Sequence, residues 1–166
     1  DMLRKEQSLG YVYQLAKASE RMLKATLSQD TDTMLSILEY AHNTEIPLLS
    51  YNNESDLTAI VNLVYLAARD FYRIEREDKA GIGYVDFIFY PELDANADCI
   101  ILELKVNHTP EEAIQQIKDK QYALRFQPKL GEKPKYTGKI LAVGIAYNRE
   151  EKKHSCKIEV LNDIMS

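Results

Sequence analysis

The chain contains no run of about 18 apolar residues, so none of its segments reads as a membrane-spanning helix. Cysteine is scarce. The two present, Cys99 and Cys156, sit far apart inside apolar runs. They read as buried free thiols of a reducing cytosol rather than a disulfide or a zinc site, which gives a cytoplasmic expectation. No apolar stretch follows Asp1-Met2-Leu3-Arg4-Lys5, so no signal peptide is visible. The absence of Met at position 1 suggests part of a longer chain. No long block of like charge and no low-complexity tract occurs, which excludes wholesale disorder. A G-x-x-x-x-G-K-[ST] loop is absent, and with it a P-loop ATPase within this chain. Gly81 and Gly83 lack the strand–glycine–helix order of a dinucleotide fingerprint and suit turn or bulge roles. His42, His108 and His154 show neither ligand spacing nor pairing with a nucleophile, and read as surface or loop residues.

What is present is ordinary for a folded domain: 166 residues, 45% hydrophobic, 28% charged, net charge −5. This length buries roughly two-thirds of its unfolded surface without staples. The charge is uneven. Residues 1–104 carry 9 basic against 18 acidic side chains, and residues 105–157 carry 12 against 6. The second segment is therefore basic enough to face a polyanion, although on charge alone lysines forming an ordinary solvated face are the favoured account.

The hydrophobic period is helical through the first half and strand-like afterwards. Helices are expected over 9–27, from an Asp30 cap through Ala41, and from Tyr51–Ser55 to about Phe71. Strands follow at 72–75, 83–90 and 99–106, with turns at 77–81 and 91–97. Thr109-Pro110-Glu111-Glu112 opens a helix running to about Arg125, with Thr109 as N-cap and Glu112 completing a capping box. Pro128–Gly138 is a basic loop, and strands at 139–147 and 154–161 complete the chain. A strand, crossover helix and strand belong in one sheet. The expected fold is an α/β sandwich with a mixed five-stranded sheet flanked by helices. Residues 1–47 would form a helical N-terminal extension, and 48–166 the α/β core.

The polar residues inside the strands are the informative ones. Alternation puts Ile100, Leu102, Leu104 and Val106 on one face, and Glu103 and Lys105 on the other. Asp86 likewise interrupts an apolar strand between Val85 and Phe87. If the two strands pair, Asp86 and Glu103 converge near a sheet end. Two converging carboxylates repel unless one is protonated or a cation lies between them. Mg²⁺ suits such a pair, accepting carboxylate and carbonyl oxygens while keeping several waters. A neighbouring lysine can then orient or deprotonate a water, or stabilise charge on a phosphate. The competing account is a structural ion pair of Lys105 with either acid.

Asp86, sixteen intervening residues and then Glu103-Leu104-Lys105 resemble the signature of the PD-(D/E)XK (restriction-endonuclease-like) nuclease superfamily. The stretch from Glu54 to Ile158 is similar to the nuclease-like domain found C-terminal to AAA-ATPase-like domains in bacterial proteins. The similarity is carried by Gly81–Asp86, Ile101–Val106, Glu111–Ile117 with Lys120 and Tyr122, and Leu141–Ile145. The resemblance implies a Mg²⁺ (or Mn²⁺) dependent nuclease acting on nucleic acid, with DNA the expected substrate. Asp86, Glu103 and the Leu104 carbonyl would hold the metal, with Lys105 as the catalytic lysine. Glu54 on the first core helix and Gln116 on the later helix would join the site. Lys120 and Lys118 would contact phosphate. Some families place a tyrosine four residues after that glutamine, where this chain has Lys120. A helical wheel puts Tyr122 and Gln115 on the opposite side and Leu124 on the packed face. The alternative is a weakly catalytic nuclease-fold module coupled to an ATPase or other protein partner. The Leu/Tyr-rich N-terminal helices would then cover that partner or a second copy in a homodimer.

Overall fold

A computed structural model describes residues 2–45, 54–78 and 85–161. The expected turn at Gly81 and Gly83, the boundary at Pro47 and the start of the Tyr51–Ser55 helix entry lie outside them. Helices α1 (Met2–Leu27), α2 (Thr31–Glu45) and α3 (Glu54–Val64) come first. Strands β1 (Tyr72–Asp78), β2 (Val85–Pro91) and β3 (Cys99–Val106) follow, then α4 (Pro110–Asp119), β4 (Ile140–Asn148) and β5 (Lys153–Val160). No helix among the described residues is long and apolar enough to cross a membrane.

The helices begin where side chains can satisfy exposed N–H groups. Asp30 Oδ1 accepts from the Thr33 N–H at 3.1 Å and caps α2. Thr109 Oγ1 accepts from the Glu112 N–H at 3.1 Å and caps α4, with Pro110 in the first turn. The expected Glu112 partner differs: its carboxylate meets His108 Nδ1 at 2.7 Å. Helix α3 also stops earlier than its apolar period suggests. After Val64 the chain tightens into a 3₁₀ turn over Leu66–Asp70 and then enters β1.

The five strands form one sheet in the order β1-β2-β3-β4-β5. All neighbours are antiparallel except β3 and β4, which run parallel and are joined through α4. All eight residues of β3 are buried, as suits a strand covered on both faces. On one face Phe87, Phe89, Leu102, Leu104 and Val143 share a core with Met22, Met34, Leu38 and Ile60 from α1, α2 and α3. On the other, Ile88, Ile101 and Ala142 pack against Ile114 and Ile117 of α4. Burying each such aliphatic side chain stabilises the fold by roughly 1.5–3 kcal/mol before entropy is counted. Leu124, expected on the packed face, is exposed, and Tyr122 and Phe126 are buried instead. Both cysteines are free, and burial pushes their thiols up to about 12, so they are poor nucleophiles.

Helix α4 sits unusually close to β4. A Cβ at Gly144 would lie 2.4 Å from the Pro110 carbonyl oxygen, a backbone atom that cannot simply rotate away. Gly144 is also the register partner of Glu103, so this close approach lies beside the polar residues of β3. Gly144→Ala should therefore lift α4 off the sheet and lower stability by about 1–3 kcal/mol, as overpacking does. Urea denaturation checks this. An unchanged midpoint would mean that α4 does not need the close approach.

Candidate functional site

The site grows out of the antiparallel pairing of β2 with β3. Asp86 and Glu103 are direct register partners, and both are fully buried. Their strand neighbours Phe87 and Leu102 belong to the core on the helical-layer side, so alternation turns the two carboxylates towards the α4 side. Lys105, two residues on, shares that face. It is 2% exposed, and its Nζ lies 3.9 Å from Glu103 Oε1.

Helix α4 and the turn after it complete the cluster. Lys120 Nζ donates to Asp86 Oδ2 at 2.8 Å and to Glu103 Oε1 at 3.2 Å. The Tyr122 hydroxyl donates to the same Asp86 Oδ2 at 2.7 Å. Both contacts depend on a break in the helix. In a continuous helix, residues 120 and 122 would lie about 200° apart. Gln121 instead takes a left-handed conformation, φ 55°, and a 3₁₀ turn over Tyr122–Phe126 follows. Lys120 and Tyr122 thereby reach one carboxylate oxygen together. The helical-wheel placement of Tyr122 away from the site is thus overturned, because the helix does not extend that far.

Glu77 differs from the turn expected of it: β1, which also holds Glu75, runs to Asp78, and Glu77 is the register partner of Asp86. Arg125 Nη1 pairs with Glu77 Oε1 at 2.6 Å and with Glu75 Oε1 at 3.3 Å, while its guanidinium lies 5.0 Å from the Tyr122 ring centroid. A chain of contacts thus runs from β1 through Arg125 and Tyr122 to Asp86. It fixes the turn that carries Lys120.

The electrostatics follow from burial. Desolvation, joined by the negative charge of Asp86, pushes the Glu103 carboxyl up to about 7, with Lys120 opposing. Burial draws the Lys105 ammonium below its ordinary value, partly offset by Glu103. Burial acts on Lys120 in the same sense, but its hydrogen bond and attraction to Asp86 win and hold it above its ordinary value. Tyr122 is raised by burial and by its bond to Asp86, so it stays a protonated donor.

Of the other expected residues, Lys118 stands away from the carboxylates and pairs with Glu159 of β5 at 2.8 Å, on the β5 side of α4. Glu54 opens α3, but its side chain lies outside the described residues. Leu104 directs its side chain into the core, leaving only its backbone as a donor. Gln116 stands one turn before Lys120, whereas Gln115 is exposed and bonds Asp119. His154 is not a surface residue: its side chain is fully buried on β5, near His42 of α2.

A five-stranded mixed sheet with helices on both faces, and two carboxylates with a lysine at one strand pair, define a restriction-endonuclease-like architecture. The model of the PD-(D/E)XK nuclease superfamily matches residues 53–156, more than half of the chain, and the chain belongs to that superfamily. No curated protein was found to match it. Membership points to a metal-dependent nuclease as the class, and the donor set fits a divalent ion. Among the described residues, the buried side-chain polar atoms without a hydrogen-bond partner are Asp86 Oδ1, Glu103 Oε2 and Gln116 Oε1. All three are hard oxygen donors of the kind Mg²⁺ takes, and leaving them unpaired is costly.

Lys120 and a divalent ion would compete for the same two acids. Lys120→Ala should bind Mn²⁺ at least about tenfold more tightly than the wild type, since it removes a like charge from the site. Without metal it should be less stable by up to about 3 kcal/mol, because two buried carboxylates lose their counter-charge. Calorimetric titration and urea denaturation in chelator measure the two effects. Unchanged metal affinity would show that the ammonium and the ion do not contend.

Proposed function

We propose that the chain is a Mg²⁺- or Mn²⁺-dependent phosphodiester hydrolase acting on DNA. The observation that carries this is the facing of Asp86 and Glu103 across β2 and β3, each with a buried oxygen lacking a partner. These two carboxylates and the Leu104 carbonyl would hold the ion, with Glu54 as a further carboxylate from the start of α3. When bound, the ion polarises the phosphoryl oxygen and makes a bound water acidic. Lys105 lies beside Glu103 and is biased by burial towards its neutral form. It is suited to orient the attacking water and accept its proton. Lys120, released from the carboxylates, would turn to the phosphate. Tyr122 would keep Asp86 aimed, and Gln116 would supply an amide oxygen near the reacting water. The exposed lysines at 129, 133, 135 and 139 offer charge for the rest of the strand.

One observation favours a second reading. Lys120 already bridges both acids and Lys105 lies beside Glu103, so two ammoniums stand against two carboxylates without an ion. On that reading the chain is a metal-poor module that binds or couples to a protein partner, such as an ATPase, or to a second copy. Plasmid and linear single-stranded DNA distinguish the readings. The hydrolase should cut in Mg²⁺ or Mn²⁺, stop in chelator and lose at least about a hundredfold in rate in Asp86→Asn and in Lys105→Ala. Cleavage undiminished in both variants would overturn the assignment, and no Mn²⁺ binding at millimolar metal would favour the module.

A further inference from the structure

Away from these acids, a second set of metal-type side chains meets where α2 lies against β5. Glu39 and His42 are three residues apart on α2, hence on one face, and His154 comes from β5. Glu39 Oε1 lies 2.6 Å from His154 Nδ1 and accepts from the His154 backbone N–H at 3.1 Å. The His42 and His154 rings stand 5.4 Å apart between centroids, nearly perpendicular. Tyr147, the register partner of His154, closes one side, with its ring 5.2 Å from His42 and 4.7 Å from His154. One ligand atom from each of Glu39, His42 and His154 lies within 4.8 Å of the other two.

We propose that Glu39, His42 and His154 form a binding site for a zinc-class divalent transition ion that rivets the helical layer to the edge strand. Zinc bonds nitrogen and oxygen at about 2.0–2.2 Å, so tetrahedral ligands stand about 3.3 Å apart. The present spread, up to 4.8 Å, is wider than this, so binding would draw the three side chains together. Two imidazoles and one carboxylate suit zinc and disfavour magnesium, which prefers oxygen throughout. The rings must bind as neutral imidazoles. Burial disfavours the charged form of both, and His154 adds repulsion at His42. Glu39 is 38% exposed, which gives an ion access from solvent. The site shares no residue with the carboxylate cluster, so it stands whether or not the chain is a nuclease.

The test is titration of the full chain with ZnCl₂ after chelator dialysis, read by calorimetry and by the melting temperature. Cobalt substitution adds visible absorption that reports a tetrahedral nitrogen/oxygen site. The Asp86→Asn/Glu103→Gln chain should keep one bound zinc and its rise in melting temperature, with excess Mg²⁺ failing to compete. His42→Ala should weaken that binding by at least about tenfold. Glu39→Gln, which preserves shape, should do likewise and covers the case where His42→Ala misfolds. Zinc binding that survives both substitutions, that vanishes in the Asp86→Asn/Glu103→Gln chain, or that never appears would overturn the site.

Discussion

Two carboxylates buried side by side constrain everything else in this molecule. Asp86 and Glu103 face each other on adjacent strands with no exposure to solvent. Burying two negative charges side by side is costly without a compensating charge. The chain supplies one internally in Lys120, and a hydroxyl from Tyr122 takes up part of the Asp86 demand. Two carboxylate oxygens still lack partners. An arrangement satisfied so incompletely suits a place where a divalent ion enters and the lysine gives way.

The fold makes that arrangement obligatory. Pairing β2 with β3 sets the acids opposite each other, and the parallel β3–α4–β4 unit brings a helix over them. Gly144 lets the first turn of α4 close on the sheet. At the other end, the left-handed Gln121 stops the helix and aims Lys120 and Tyr122 inward. The three N-terminal helices cover the opposite face, and their side chains merge into one core with β2, β3 and β4. The strands that carry the acids are thus packed from both sides, which keeps water away from the carboxylates and strengthens every charge interaction there.

Much of this was legible in the sequence. The order of elements follows from the switch in hydrophobic period. The facing of Asp86 and Glu103 follows from alternation once β2 and β3 pair. What escaped is instructive. Periodicity continues smoothly through residues 119–125, so nothing local marks the break at Gln121, and extrapolating the wheel misplaced Tyr122 and Leu124. Lys120 reads as a phosphate contact, and its bridge to Asp86 and Glu103 goes unseen because those partners lie 34 and 17 residues away. Glu77 looks like turn material because Glu77-Asp78-Lys79 is polar, yet strand pairing places it next to Asp86. The meeting of His42 with His154 depends on α2 docking against β5, a contact that linear spacing cannot encode.

The proposed hydrolase needs a divalent ion to bind where Lys120 now bridges Asp86 and Glu103. A crystal of the full chain soaked in Mn²⁺, with anomalous data collected, tests this directly. An anomalous peak is expected between the two carboxylates, within bonding distance of both, with Lys120 Nζ displaced from them. A map with no peak there and Lys120 still seated on both acids would contradict the hydrolase proposal.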